Sequence, residues 1–140
     1  MEIYRTAHPD LPKTSFLHAD GNSGEVIANG EAFIFSGSII QNSHPKSFVD
    51  DTTFIAPFEG VYVLVVNVEV VGSLDTSPAL YINDVYHRMK VNNNGVYRTQ
   101  STVLPLNKGD TIEIKNASST KTQANTAGFS HAFIVFGTQN

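Results

Sequence analysis

Five histidines are the side chains here with the widest chemical reach: His8, His18, His44, His87 and His131. Imidazole binds zinc or iron and shuttles protons, but a local metal site needs ligands at short, regular spacing. No two of the five form an H-x-H or H-x3-H pair, and no cupin-like His–Glu spacing occurs. A metal centre would therefore need them to converge from separate strands. If His131 faced a contact between copies of the chain, their imidazoles would gather there; otherwise it is a hydrogen-bonded strand-end histidine. Asp50, Asp51, Asp75 and Asp84 lie in or near turn-forming stretches. Calcium takes six to eight hard oxygen ligands, and Asp50-Asp51 followed by Thr52-Thr53 is the best local candidate for it. The competing reading is a set of solvated turn aspartates. The chain has no cysteine, so neither disulfides nor thiolate sites are available. No G-x-S-x-G elbow, P-loop or G-x-G-x-x-G run occurs. Paired carboxylates for glycoside cleavage would have to meet in space, and the acidic set is small. No residue is singled out as catalytic, and the expectation is a non-enzyme with no cofactor, calcium being the one metal left open.

Binding chemistry is better represented. The stretch Val91–Arg98 offers the amides of Asn92, Asn93 and Asn94 together with Tyr97 and Arg98. Amides pair with hydroxyls and aromatic faces stack on sugar rings, so this loop is a candidate ligand site. Its other reading is an Asn-Gly hairpin turn, because Asn-Gly readily supplies positive φ. Tyr86, His87 and Arg88, and the loop Ser118–Asn125, are further candidates.

These groups must be positioned by strands. Helical periodicity is nearly absent, while short period-two runs recur between Asn, Gly, Ser and Asp punctuation. At 140 residues the chain fits one domain and can bury a core without staples. Residues 1–30 read as an N-terminal arm with at most one or two short strands, and residues 31–140 as the domain. Expected strands run over 31–41, with Phe33 and Phe35 on one face, then 53–56, 60–71, 79–83, 85–91, 97–106, 110–116 and 128–136. Asn83-Asp84 reads as a tight turn. Residues 116–127 are rich in Ser, Thr, Asn and Lys and read as a long surface loop. Two strands are apolar on both faces: the first half of 60–71, and Ala132–Phe136. An antiparallel sandwich strand ordinarily keeps one wet face. Either a loop or the arm covers these strands, or a second subunit does.

Nine basic and thirteen acidic residues give a net charge of -4, which argues against nucleic-acid binding. No apolar stretch reaches membrane-span length, and Met1–Arg5 has no apolar h-region of a signal peptide. If the protein works outside a cell, it reaches that place on a virion, by lysis or as part of a larger assembly.

The run Phe54-Ile55-Ala56-Pro57-Phe58-Glu59-Gly60-Val61-Tyr62-Val63-Leu64 resembles the F-x5-G-x-Y-x-F segment of complement C1q heads, and its Glu-Gly-Val-Tyr core looks like the matching strand of tumour necrosis factor (TNF). Ala79-Leu80-Tyr81-Ile82-Asn83 is similar to that family's S-L-Y-x-N strand. Val103–Asp110 is similar to its strand and Gly-Asp turn, and His131–Phe136 to its closing strand. Order and spacing agree over roughly residues 31–138. The resemblance implies an all-β, two-sheet antiparallel jelly-roll sandwich that assembles as a homotrimer. It implies axis-facing Val61, Val63, Val65, Thr99, Ser101, Val103, Ala132, Ile134 and Phe136. It also implies a core of Tyr62, Leu64, Val66, Leu104, Leu106, Phe133 and Val135. The chain lacks the Gly-X-Y stalk, cysteines and receptor loops of the animal proteins, and Ala132 stands where the last strand usually has Gly. A bacterial or phage member fits better. Three functions follow as expectations: a surface-displayed trimeric adhesion head recognising a host glycan or protein, a structural trimerisation cap of a fibre or filament, or a small metal-dependent jelly-roll enzyme.

Overall fold

The computed structural model describes residues 13–21, 26–28, 30–71, 78–87, 91–94, 97–117, 122–124 and 132–140. The strands are β1 (Thr14–Asp20), β2 (Val26–Ile27), β3 (Ser38–Asn42), β4 (Phe48–Val49), β5 (Thr53–Ile55), β6 (Gly60–Val71), β7 (Pro78–Ile82), β8 (Val85–His87), β9 (Val91–Asn94), β10 (Tyr97–Leu106), β11 (Thr111–Asn116), β12 (Thr122–Ala124) and β13 (Ala132–Gln139). No helix among the described residues is long and apolar enough to cross a membrane.

Two antiparallel sheets result, and they form an all-β jelly-roll sandwich. Sheet I is centred on β6, flanked by β10 on one side and β13 on the other. It continues through β1 to the edge strand β3 and through β10 to the edge strand β9, while β12 and β2 extend the far end of β6. Sheet II has the order β4-β5-β11-β7-β8. Strand β1 lies within the N-terminal segment and is fully integrated, pairing β13 from Thr14↔Thr138 to Asp20↔Ala132.

Period-two alternation decides which side chains meet between the sheets. From β6, Tyr62, Leu64, Val66 and Val68 are fully buried; β13 adds Phe133 and Val135, and β1 adds Leu17 and Ala19. Sheet II answers with Phe54, Leu80, Ile112 and Ile114. Leu106 is buried, and Leu104 packs against the core from its margin. Tyr62 is the polar exception. Its hydroxyl donates to the Phe58 carbonyl at 2.6 Å, which satisfies the buried oxygen. Burial raises its pKa, with the hydrogen bond to Phe58 opposing.

Four expected elements differ. Residues 31–41 do not form one strand. Phe33 and Phe35 are both buried, but the segment crosses between sheets. The Phe33 amide donates to the Ile114 carbonyl of sheet II at 2.8 Å, and the Gly37 amide to the Asp20 carbonyl of sheet I at 3.0 Å. Gly37 is needed at the crossing, since a Cβ there would lie 2.6 Å from the Gly21 carbonyl oxygen. The stretch 85–91 likewise splits between β8 in sheet II and β9 in sheet I. The segment 116–127 contains β12, which pairs both β2 and β6. The last strand runs to Gln139, beyond the expected Phe136.

Candidate functional site

The nine residues assigned to an axis share one face of sheet I. Register shows why. Val103 pairs with Val63, Val63 with Phe136, and Phe136 with Phe16, so these four form one row across β10, β6, β13 and β1. The next row runs Ser101, Val65, Ile134, His18, and the one beyond it Thr99, Asn67, Ala132, Asp20. On the other side of the first row, Val61 pairs with Pro105 and Thr138. All project away from the core, because their neighbours along each strand project into it. Val61, Val63, Val103 and Phe136 remain 45%, 39%, 61% and 42% exposed. Phe16 and Phe136 meet edge to face at 6.3 Å. The face turns polar toward one end, where the Thr99 hydroxyl donates to Asn67 Oδ1 at 2.8 Å and His18 Nε2 lies 3.1 Å from Asp20 Oδ1.

The candidate ligand residues fall in two places. Asn92, Asn93 and Asn94 pair with Thr99, Arg98 and Tyr97. They are therefore strand residues of β9 laddered to β10, while Gly95 and Val96 lie outside the described residues. Tyr86 and His87 lie in β8 of sheet II and are exposed. Arg88 lies outside the described residues, as do His8, His131 and Asp75.

Sheet II supplies a cluster that the sequence reading missed in part. Across its outer face, Val49, Thr53, Glu113, Tyr81 and Tyr86 form one row. The Tyr81 and Tyr86 rings pack edge to face at 5.8 Å and 75°. Lys115 places its ammonium 5.0 Å from the Tyr81 ring centroid and 3.3 Å from Asp84 Oδ1. In the sequence Tyr81 stands only within a family-like strand and Lys115 is unmarked, because pairing across strands is what sets Tyr81 opposite Tyr86 and Lys115 over the Tyr81 ring. The one available signal was period two: Tyr81 alternates with the apolar Leu80 and Ile82.

The adjoining turn is tightly built. Asn83 and Asp84 have φ of 49° and 63°, the two positive values that a two-residue hairpin requires. Asn83 Nδ2 donates to Asp110 Oδ1 at 3.0 Å, and Asn83 Oδ1 accepts from the Thr111 amide at 2.9 Å. Asp110 also accepts from the Asn107 amide at 2.8 Å. These donors, Asn83 first, hold the Asp110 carboxyl below its usual pKa.

Asp50 and Asp51 both have φ of 55° and occupy the β4–β5 turn. The Asp51 carbonyl accepts from the Phe35 amide at 2.7 Å. Among the described residues no three His, Asp or Glu side chains converge as a metal site would need. His18 contacts Asp20, whereas His44 contacts Ser43 and the Phe58 ring.

No family model matches the chain, and no curated protein matches it in sequence. Solved structures do. Murine APRIL superposes with a TM-score of 0.67 at 13% identity, covering 89% of this chain and 98% of that one. Eiger TNF from S. frugiperda gives 0.62 at 12% identity, over 93% and 94% of the two chains. The globular domain of zebrafish complement 1qA gives 0.56 at 16% identity, over 90% and 96%. With the sheet order and the buried faces above, these likenesses establish that the chain has the C1q/TNF-like jelly-roll fold.

Proposed function

We propose that this domain is a non-catalytic, surface-displayed binding head that assembles as a homotrimer through the open face of sheet I and meets its target through the outer surface. The observation that carries this reading is the row Val103, Val63, Phe136 and Phe16 on a sheet face that nothing in the chain covers among the described residues. A one-sided antiparallel sheet ordinarily keeps its outer face polar, and contiguous exposed apolar side chains mark a contact surface. Covering them contributes on the order of 1 kcal/mol per half-exposed side chain, repeated in each subunit. The threefold assembly implied by the sequence resemblance supports the same use of this face. Three copies then present three equal outer surfaces, and weak contacts with a repetitive glycan or protein coat on a host or partner surface add up by avidity. Display on a virion, spore or cell surface suits such a head.

Light scattering coupled to size exclusion tests the assembly. The expected mass is three times the 15.2 kDa of one chain. Val63→Asp is expected to give a folded single chain. Position 63 is 39% exposed, so a carboxylate is tolerated in the subunit but not beside copies of itself at a dry contact. A Val63→Asp protein with the parent mass would overturn the assignment of this face.

A further inference from the structure

We propose that the outer face of sheet II around Tyr86 is a binding site for a neutral pyranose, with the sugar stacked on the Tyr86 ring and its hydroxyls donating to the Asp84 carboxylate. The site rests on the binding-head reading above and names the ligand class of its outer surface.

Tyr86 is 53% exposed on the edge strand of a sheet, although a ring of its size is costly to leave in water. It is also held in place. The Tyr81 ring packs edge-on against it at 5.8 Å, and Tyr81 is itself fixed by the Lys115 ammonium over its face. Tyr81 and Tyr86 are directly opposed across β7 and β8. A ring braced in this way loses little conformational freedom when a ligand stacks on it, which is how a rigid aromatic anchor gains affinity.

The polar surroundings select the ligand. Asp84 is 78% exposed and offers Oδ1 to Lys115 at 3.3 Å, which leaves Oδ2 as an acceptor pointing to no cation among the described residues. Glu113 sits beside Tyr81 in the same row. Among the described residues around Tyr81 and Asp84 the cation is Lys115, and it is engaged by Asp84 and by the Tyr81 ring. Acceptor-rich carboxylates suit hydroxyl donors and repel anions, so sialylated, sulfated and phosphorylated ligands are disfavoured. The flat faces of pyranoses, made of C–H bonds, suit the negative face of an aromatic ring.

The test is saturation-transfer NMR on the purified full chain. The probes are the methyl pyranosides of glucose, galactose, mannose and N-acetylglucosamine, with 3′-sialyllactose as the anionic comparison, and the solution mass is recorded on the same samples. At least one neutral pyranoside is expected to receive saturation, strongest at its ring C–H protons. Tyr86→Phe should keep that signal and Tyr86→Ala should lose it. Asp84→Asn retains a turn-forming residue and should weaken the signal. Silence from every neutral pyranoside, a stronger response from 3′-sialyllactose, or an undiminished signal in Tyr86→Ala would overturn the site. A trimer mass with no sugar response sinks this site and leaves the assembly reading standing. A single-chain mass with the Tyr86-dependent signal intact does the reverse.

Discussion

Gly137 shows how closely one position can be dictated by its neighbour. A Cβ at 137 would run into the Cε1 and Cδ1 atoms of Tyr62. That ring cannot step aside, because its hydroxyl is tied to the Phe58 carbonyl and it stacks on Phe58 and meets Phe54 edge to face. Gly137→Ala should therefore cost about 2 kcal/mol as an overpacked core, measured by urea unfolding; a loss below about 0.5 kcal/mol would show that the core yields more readily than this. Asp110 illustrates a charge effect at the same scale. Its folded pKa lies below the ordinary value because Asn83 and Asn107 donate to the ionised form. The folded state therefore binds the proton less tightly than the unfolded one. The stabilisation is complete above the ordinary carboxyl value and disappears as pH falls through the folded value. Asp110→Asn should lower stability at neutral pH by up to about 1 kcal/mol, since the group is open to solvent. The difference from the parent should vanish in strong acid. A pH-independent difference would assign the effect to shape instead of charge.

At the scale of elements, turns and strands were unequally readable. Strand β6 was legible because Tyr62, Leu64, Val66 and Val68 keep period two without interruption, and β10 because its limits are set by an Asn-Gly stretch and by Asn107–Gly109. The Asn83-Asp84 turn was legible from residue type. Its second position is the strained one, an aspartate at φ 63°. Asp84→Gly should raise stability by about 0.5 kcal/mol by relieving that strain, at the loss of an exposed ion pair worth little. Lower thermal stability would mean that the Lys115–Asp84 contact outweighs the strain. Residues 31–41 misled because alternation survives a change of partner. Phe33 and Phe35 face the core whether the backbone bonds to sheet II or to sheet I, so periodicity alone cannot reveal the crossing at Gly37. Asn92, Asn93 and Asn94 read as loop residues because Asn favours turns, yet the cross-strand ladder places them in β9 against β10.

For the whole molecule, the consequential feature is a sandwich with one dry interior and one face of sheet I that is apolar yet open. Val63→Asp separates these roles, since it touches the open face and leaves the interior of Tyr62, Leu64 and Val66 intact. Loss of assembly with an unchanged far-ultraviolet spectrum is the expected signature, and unfolding of the single chain would instead assign Val63 to subunit stability. In the proposed trimer each outer face is present three times, so a monomeric Val63→Asp protein should retain the single-site response to a pyranoside while losing retention on a multivalent glycan surface.

By itself, the order of residue types determined that this chain is all-β, that the first half of β6 and residues 132–136 of β13 are apolar on both faces, and that Tyr62, Leu64, Val66, Leu106, Phe133 and Val135 belong to the core. These follow from period-two chemistry, which is local, and from four family-like segments in the right order. Tertiary structure decided what local chemistry cannot. It aligned Val103, Val63, Phe136 and Phe16 into one row from four distant strands, drew β1 into sheet I, and set Tyr81 against Tyr86 with Lys115 reaching from the Tyr81 ring to Asp84. Cross-strand register is a property of pairs of segments, fixed by the burial of one face and the geometry of the turns, and it is register that turns scattered residues into a surface.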